Sequence, residues 1–212
     1  MLRTDIKGTS RKDRVAMSNK SEIRKMMKAV KSEFEPMMVS FAGQVIGYKV
    51  MALDEYKDTD TIFIYVDYNK EVCTETLIED ALKNGKKVAV PKVYKHELSP
   101  ETTDGSYMKF HYITSMDDLT PGYNGIKEPD SQLPVADYDS ANAVMIMPVV
   151  AFDKEKNRVG YGGGYYDKYL DSHQVAYKIG IAYEEQKVDV IDDISDHDIK
   201  VDIIITQKDV YR

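Results

Sequence analysis

The chain of 212 residues contains a single cysteine, Cys73. One thiol excludes an internal disulfide, and no four cysteine and histidine ligands occur around Cys73 at the spacing of a structural zinc site. No apolar run reaches the roughly 18 residues that a membrane helix needs, and the N-terminus lacks the apolar core of a signal peptide. These absences predict a cytoplasmic protein with no membrane partner.

Positive charge is scarce as well, because the formal net charge is −7. Proteins that bind nucleic acid usually present a basic face to the phosphates, so this charge balance predicts no nucleic-acid partner. A small anion needs only local positive charge. Such charge is concentrated in one early segment, at Lys20, Arg24, Lys25, Lys28 and Lys31.

The composition is typical of a globular domain, with 42% apolar and 31% charged residues and no low-complexity tract. A chain of this length can bury about 70% of its unfolded surface, so a substantial core is expected. Residues 1–18 show neither helical nor strand periodicity, and we expect a tail or an appended extension there. We expect a single domain over residues 19–212.

The order of helical and strand patterns predicts the fold class. A helical pair opens the domain, with apolar residues at Ile23, Met26, Met27, Val30 and Phe34 in the first helix and at Met37, Phe41, Val45 and Tyr48 in the second, after Pro36. The predicted strands are TIFIYV (61–66), KKVAVPKV (86–93), SYMKFHYI (106–113), NAVMIMPVVAF (142–152), YKIGIAY (177–183) and VDIIIT (201–206). Helices are predicted between them over 74–85, capped by Thr74 and ended by Gly85, and over 165–170. This alternation predicts a three-layer α/β fold, in which helices cover both faces of a mostly parallel sheet.

The stretch RVGYGGGYYDK (158–168) holds four glycines within five positions, directly before a predicted helix. Glycines allow backbone N–H groups to approach a phosphate, and a helix N-terminus favours an anion. The pattern is neither G-x-G-x-x-G, because Tyr165 occupies the third glycine position, nor a Walker A loop. The alternative is a tight hairpin whose glycines only satisfy positive φ, with Tyr165 and Tyr169 packed in the core.

The longer segment MPVVAFDKEKNRVGYGGGYYDKYL (147–170) closely resembles the ATP-binding loop of the 5-formyltetrahydrofolate cyclo-ligase family. Other segments match that family in the same order, namely Lys20-x-x-x-Arg24, Glu71-x-x-Thr74, GIKEP (125–129) and HDIKVDIIIT (197–206). The resemblance implies ATP-dependent closure of 5-formyltetrahydrofolate to 5,10-methenyltetrahydrofolate, with release of ADP and phosphate and a requirement for Mg²⁺. The implied route is phosphorylation of the formyl oxygen followed by attack of N10. The implied partners are a reduced folate and ATP, and we expect a monomer or weak homodimer.

The resemblance also implies a role for individual residues. The residues implied to bind ATP are Lys20, Arg24, Arg158, Gly160, Gly162, Gly163, Gly164, Tyr165, Tyr166 and Asp167. The residues implied to bind the folate are Val66, Glu71, Tyr161 and Tyr165. Arg158 and Tyr165 are the implied catalytic residues, and Asp167 the implied ligand of Mg²⁺. If the resemblance is not used, the residues have simpler interpretations. Lys20 and Arg24 would then be solvated surface charges, and Asp167 would be an acid in the first helical turn that the helix dipole favours. Some family members carry basic residues at the positions of Tyr161 and Gly163, so this loop is less positively charged.

Two other classes of function fit the same pattern. One is a non-catalytic homologue that binds folate or nucleotide without turnover, which the altered charge at Tyr161 and Gly163 would favour. The other is an enzyme similar to sugar-phosphate isomerases or CoA-transferases, which would use the glycine loop for a different phosphate. The second alternative lacks an evident catalytic carboxylate in a matching motif.

Overall fold

The computed structural model describes residues 19–95, 106–122, 125–136 and 139–212. The tail predicted at 1–18 lies outside these ranges. The helices in the described part are α1 (Lys20–Ser32), α2 (Pro36–Ala52), α3 (Asp54–Lys57), α4 (Glu75–Lys83) and α5 (Tyr165–Ser172). None of these helices is long and apolar enough to cross a membrane.

The helix ends follow local sequence signals. Asn19 caps α1, because its side chain accepts a hydrogen bond from the N–H of Ser21 at 2.7 Å. Pro36 begins α2, at a position where its missing N–H costs nothing. Gly85 follows α4 with φ of +74°, as the sequence predicts for a residue that ends a helix.

The strands form one large sheet and two small pairs. In chain order they are β1 (Thr61–Ile64), β2 (Lys87–Lys95), β3 (Ser106–Ile113), β4 (Leu119–Pro121), β5 (Lys127–Pro129), β6 (Asp139–Pro148), β7 (Ala151–Phe152), β8 (Arg158–Val159), β9 (Gln174–Ile181), β10 (Ile203–Ile205) and β11 (Val210–Tyr211). Within the described residues the large sheet has seven strands in the order β11-β10-β9-β6-β1-β2-β3. The five central strands run parallel, and the edge strands β3 and β11 are antiparallel to their neighbours.

Helices cover both faces of this sheet. Ile46 of α2 and Leu77 of α4 pack with Ile62 on one face. Tyr169 of α5 packs against Phe63 on the other face. Ile46 and Ile62 are completely buried, and truncation of such a side chain to alanine costs about 2–5 kcal/mol. The predicted three-layer α/β class, with its mostly parallel sheet and its two opening helices, is confirmed.

Two local expectations need correction: the single strand predicted at 142–152 is wrong, and the helix cap predicted at Thr74 is right in position only. The run 142–152 is not one strand, because β6 ends at Pro148 and the carbonyl groups of Val149 and Val150 accept hydrogen bonds from the buried Gln186 at 2.7 and 2.9 Å. The chain then turns into β7, which pairs with β8. Thr74 lies at the start of α4, but its hydroxyl donates to the carbonyl of Tyr65 at 2.9 Å and does not cap the helix.

The face that α2 buries also differs from the predicted one. The sequence pattern places Met37, Phe41 and Tyr48 toward the core, whereas these side chains are 83%, 65% and 69% exposed. The buried face instead contains the small residues Ala42, Gly43 and Gly47 together with Ile46 and Val50.

Candidate functional site

The glycine loop follows a short hairpin that is held rigidly at its turn. Asp153 is fully buried and accepts hydrogen bonds from the N–H and the side-chain amide of Asn157, at 3.0 and 2.8 Å, and from the N–H of Ile191 at 3.1 Å. These bonds fix the connection between β7 and β8. The hairpin therefore places Arg158 and the glycine loop that follows it beside the carboxyl ends of β6 and β9. Ligands bind at this edge of the sheet in open α/β folds.

Arg158 is a buried cation with one strong partner. Its Nη2 lies 2.6 Å from Oδ1 of Asp167, and only 5% of its side chain is exposed. Burial lowers the pKa of Arg158, and the charges of Asp167 and Asp198 are among the groups that oppose this shift. The Nε–H of Arg158 has no hydrogen-bond partner among the described residues. A donor of this kind suits a phosphate oxygen.

The glycines of the loop serve two different purposes. Gly162 and Gly164 have φ of +105° and +63°, which side chains rarely adopt. At Gly163 the reason is space, since a Cβ atom there would lie 2.6 Å from the ring of Tyr165. Positive φ therefore accounts for Gly162 and Gly164, and the packing of the Tyr165 ring accounts for Gly163.

Helix α1 contacts this loop through Arg24. The Nε of Arg24 donates to the carbonyl oxygen of Gly160 at 2.7 Å. Its guanidinium also lies against Gly162, where an added Cβ would be 3.4 Å from Cζ of Arg24. Arg24 of α1 and the glycine loop are therefore in direct contact.

Lys20 lies one turn earlier in α1 and forms an ion pair with Asp198. The backbone N–H of Ser195 and its hydroxyl also donate to Asp198, and these bonds, with Lys20, lower its pKa although burial raises it. Asp198 is a residue that sequence reasoning missed as a site residue. The signal was its place in the segment HDIKVD before the last parallel strand, but that segment alone does not reveal its partners.

Two carboxylates thus act on the Arg158 guanidinium, Asp167 by direct contact and Asp198 through its charge. The N–H of Ile199 also donates to Asp167, at 3.1 Å, which joins the two carboxylates through one short segment. No group of three or more histidine, cysteine, aspartate or glutamate side chains is placed to hold a metal in the part of the chain that the structure describes. The set matches Mg²⁺ bound mainly through phosphate oxygens, which uses one or two carboxylates.

The other end of the site is built around Glu71. Its carboxylate accepts a hydrogen bond from the N–H of Tyr68 at 2.8 Å, across a turn in which Asn69 and Lys70 have φ of +46° and +60°. Left-handed backbone at two such residues is strained and marks a segment held by its surroundings. Burial raises the pKa of Glu71, and a hydrogen bond from the hydroxyl of Tyr161 acts in the opposite direction.

Glu71 lines a narrow recess above the ends of the parallel strands. The recess is formed by Lys31, Tyr65, Glu71, Val72, Pro148, Val149, Ile181 and Gln186. Burial lowers the pKa of Lys31, and the charge of Glu71 opposes that shift. Val66 lies next to this recess in the chain, but it is 9% exposed and packs in the apolar core of the α2 and α4 face. Its neighbour Tyr65, which was not predicted, lines the recess.

Tyr161 connects the two ends of the site. Tyr161 is 59% exposed, yet its hydroxyl interacts with the Glu71 carboxylate. Lys31 donates to the same hydroxyl at 3.3 Å, with its Nζ 5.8 Å from the ring centroid. Tyr161 therefore belongs both to the glycine loop and to the Glu71 recess.

Tyr165 lies behind the loop and borders a second concavity. Its hydroxyl donates to Oγ of Ser106 at 3.1 Å. A cleft of about 540 Å³ opens beside it between α5 and β3, with Lys109, Lys168 and His173 among its lining residues. The ring of Tyr165 therefore lies between Gly163 of the loop and this cleft.

The chain resembles proteins of known identity over most of its length. The profile of the 5-formyltetrahydrofolate cyclo-ligase family matches residues 16–207. The 5-formyltetrahydrofolate cyclo-ligase of Mus musculus is 29% identical over 194 residues, which cover 88% of this chain and 90% of the mouse protein.

Two solved structures share the fold. The NMR structure of Aquifex aeolicus 5,10-methenyltetrahydrofolate synthetase gives a TM-score of 0.75 at 27% identity, covering 91% of this chain and 92% of that one. The 5,10-methenyltetrahydrofolate synthetase of Mycoplasma pneumoniae gives 0.65 at 25% identity, covering 89% and 99%. With the family profile matched over nearly the whole domain and the fold shared, the chain belongs to the 5-formyltetrahydrofolate cyclo-ligase family and is an enzyme of folate one-carbon metabolism.

Proposed function

We propose that this enzyme closes 5-formyltetrahydrofolate to 5,10-methenyltetrahydrofolate at the expense of ATP. The formyl oxygen attacks the γ-phosphorus, the bond to the β-phosphate oxygen breaks, and ADP leaves with that electron pair. N10 then attacks the formyl carbon, the carbon–oxygen bond breaks, and inorganic phosphate leaves while N10 loses its proton. The first step is needed because a formamide cannot readily expel its oxygen.

The observation that carries the proposal is the pairing of two different ends within one site. One end presents the glycine loop with Arg158 and Arg24, which suit a phosphate. The other presents the desolvated carboxylate of Glu71, which can accept hydrogen bonds from a ring N–H and an amino group together. A ligand pair made of a nucleotide and a pterin matches this arrangement.

Each charged residue has a role in this proposal that its contacts support. Arg158 and the loop N–H groups stabilise the phosphoryl group during its transfer, when charge spreads over its oxygens. Arg24 and Lys20 extend positive charge along α1 toward the rest of the triphosphate. Tyr161 lies between the two ends and Tyr165 lies behind the loop, and in this proposal their rings stack on the flat rings of the folate.

Mg²⁺ is part of the same proposal. Asp167 supplies hard carboxylate oxygens next to the loop, and Asp198 supplies a second carboxylate whose charge acts on the same Arg158. When bound, the metal would neutralise charge on the phosphates. The aspartates now paired with Arg158 and Lys20 are the groups that would exchange partners as the nucleotide and its cation bind.

Absorbance of the methenyl product in the near ultraviolet tests the proposal. Purified protein is mixed with 5-formyltetrahydrofolate and Mg-ATP, and matched reactions omit ATP or add a chelator. We expect a rise in absorbance that needs both ATP and Mg²⁺. Folate binding without this rise would support the non-catalytic alternative. An ATP-dependent release of phosphate with no methenyl product would exclude the proposed reaction.

The cytoplasmic location and the monomeric or weakly dimeric state remain predictions. Light scattering across a hundredfold range of protein concentration tests the second of them. A mass that stays at one or two chains agrees with it, and a stable larger assembly contradicts it.

A further inference from the structure

The hydroxyl group of Tyr166 is buried without a hydrogen-bond partner among the described residues. Tyr166 lies in the first turn of α5. It stands between Tyr165, whose ring lies against Gly163, and Asp167, which forms the ion pair with Arg158. Its ring packs against the apolar residues of both sheet faces and meets Phe110 edge-on, with the ring centroids 6.2 Å apart. Packing fixes the ring, so the hydroxyl cannot turn out to water.

The hydroxyl also lies within electrostatic reach of both ends of the site. Tyr166 interacts with the charge of Glu71, which belongs to the recess, and with that of Arg158, which belongs to the loop. The Nε of Arg158 is a second buried donor without a partner among the described residues. Burying an O–H group without a partner is costly, and phenylalanine would give the same packing without that cost. The charges of Tyr166 and Arg158 act on each other, so the two donors belong to the same region, and they indicate an acceptor that arrives with the ligands.

We propose that Tyr166 is a catalytic residue that donates its hydrogen bond to the oxygen joining the formyl carbon to the transferred phosphoryl group. This inference rests on the proposed function. During ring closure N10 forms its bond to the formyl carbon, and the carbon–oxygen bond breaks with its electron pair passing to the oxygen of the departing phosphate. The hydroxyl keeps its proton and stabilises the charge that develops on that oxygen.

The variant Tyr166→Phe tests this role, with Tyr169→Phe as its control. The control removes the same hydroxyl group from the same helix, from a residue that packs in the core. For Tyr166→Phe we expect kcat to fall about 100-fold, as for the loss of one donor to a developing charge, with KM for both substrates unchanged or lowered. Rapid quenching should show ADP formed in a burst ahead of the methenyl product, because only the second step is slowed. Tyr169→Phe should keep the wild-type rate.

Thermal unfolding distinguishes this role from a structural one. Because Tyr166→Phe removes a costly buried group, its Tm should equal or exceed that of the wild type. An unchanged kcat, a raised KM with unchanged kcat, a lowered Tm, or equal slowing of ADP and methenyl formation would each overturn the inference. Absence of methenyl product from the wild-type protein would instead contradict the proposed function itself.

Discussion

The two ends of the site differ in the partners that hold their charged side chains. At the loop end the described cations have anionic or carbonyl partners from distant segments, as in Arg158 with Asp167 and Lys20 with Asp198. At the Glu71 end the carboxylate is held mainly by neutral donors, the N–H of Tyr68 and the hydroxyl of Tyr161. The loop end is organised by ion pairs that can be exchanged for phosphates, whereas the Glu71 end keeps a carboxylate in a poorly solvated place.

This difference separates the effects that pH and mutation should have at each end. Breaking an ion pair at the loop end removes both organisation and positive charge, which lowers turnover and stability together. Removal of the charge of Glu71 removes the cost of burying a carboxylate, which should stabilise the fold. The same change removes a charged hydrogen-bond acceptor for the pterin, which should weaken folate binding. Function and stability should therefore change in the same direction at one end and in opposite directions at the other.

The largest effect is expected for Arg158→Ala. Loss of the guanidinium removes stabilisation of the transferring phosphoryl group, and kcat should fall about 100- to 1,000-fold. Removal of one partner of a buried pair also leaves Asp167 without its cation, so the midpoint of urea unfolding should fall. Steady-state kinetics measure the first effect, at a temperature where circular dichroism shows that the protein is folded.

The control is Lys178→Ala, which breaks an ion pair outside the site. The Nζ of Lys178 lies 2.9 Å from the carboxylate of Asp202, and the variant should keep the wild-type kcat. A kcat/KM near the wild-type value for Arg158→Ala would remove Arg158 from the site.

Glu71→Gln should weaken folate use and strengthen the fold. Loss of a charged acceptor should lower kcat/KM for the folate about 10- to 100-fold, in line with the strength of charge-assisted hydrogen bonds. Burial raises the pKa of Glu71, so its ionised form opposes folding at neutral pH, and the neutral amide should raise the unfolding midpoint. In the wild type this penalty should diminish as the pH falls through the raised pKa. Glu75→Gln, at an exposed residue of α4, is the matched control. Lower stability in Glu71→Gln would contradict the contrast between the two ends.

Gly163→Ala should have a smaller effect, confined to the loop end. The new Cβ would meet the Tyr165 ring at 2.6 Å, so the ring must move and lose its bond to Ser106. Overpacking of this kind costs about 1–3 kcal/mol, and we expect a rise in KM for ATP of about tenfold. Gly47→Ala serves as the control, because the nearest atom to its added Cβ is 4.0 Å away and alanine favours a helix interior. Equal kinetics for the two variants would show that the loop tolerates displacement of Tyr165.

The smallest effect is expected for Tyr161→Phe, which tests the connection between the ends. The hydroxyl of Tyr161 lowers the pKa of Glu71, so its loss should raise that pKa further. If ionised Glu71 binds the folate, the acid limb of the profile of kcat/KM against pH should move to higher pH. Tyr68→Phe is the control, because Tyr68 contacts Glu71 through its backbone N–H. If the acid limb of the profile of kcat/KM against pH is the same in Tyr161→Phe and in the wild type, Tyr161 and Glu71 act independently.

Much of the fold is predictable because its signals are local. Buried runs such as TIFIYV and VDIIIT predict central parallel strands, and the glycine loop predicts a junction between a strand and a helix. The α2 face is not predictable by counting apolar residues, since the face that α2 buries contains Ala42, Gly43 and Gly47, whereas Phe41 is exposed. The end of β6 depends on Gln186, which lies 36 and 37 residues beyond the carbonyl groups that it binds.

The same reasoning applies to the candidate site. Residues inside the motif, such as Arg158, Gly163 and Asp167, are found together because the motif itself is compact. Asp198 lies 178 residues from Lys20 in sequence, so no local pattern indicates their pairing. The bond between Tyr161 and Glu71 likewise depends on how the loop folds over the recess.

Transfer of labelled oxygen tests the central claim most directly, because the two ends matter only if they bring a phosphoryl group to the formyl oxygen. The enzyme is given Mg-ATP and 5-formyltetrahydrofolate that carries ¹⁸O in the formyl group, and the inorganic phosphate is analysed by mass spectrometry. The account predicts one ¹⁸O atom in each phosphate released, with one ADP formed for each methenyl product. Recovery of the label in water, with unlabelled phosphate, would contradict it.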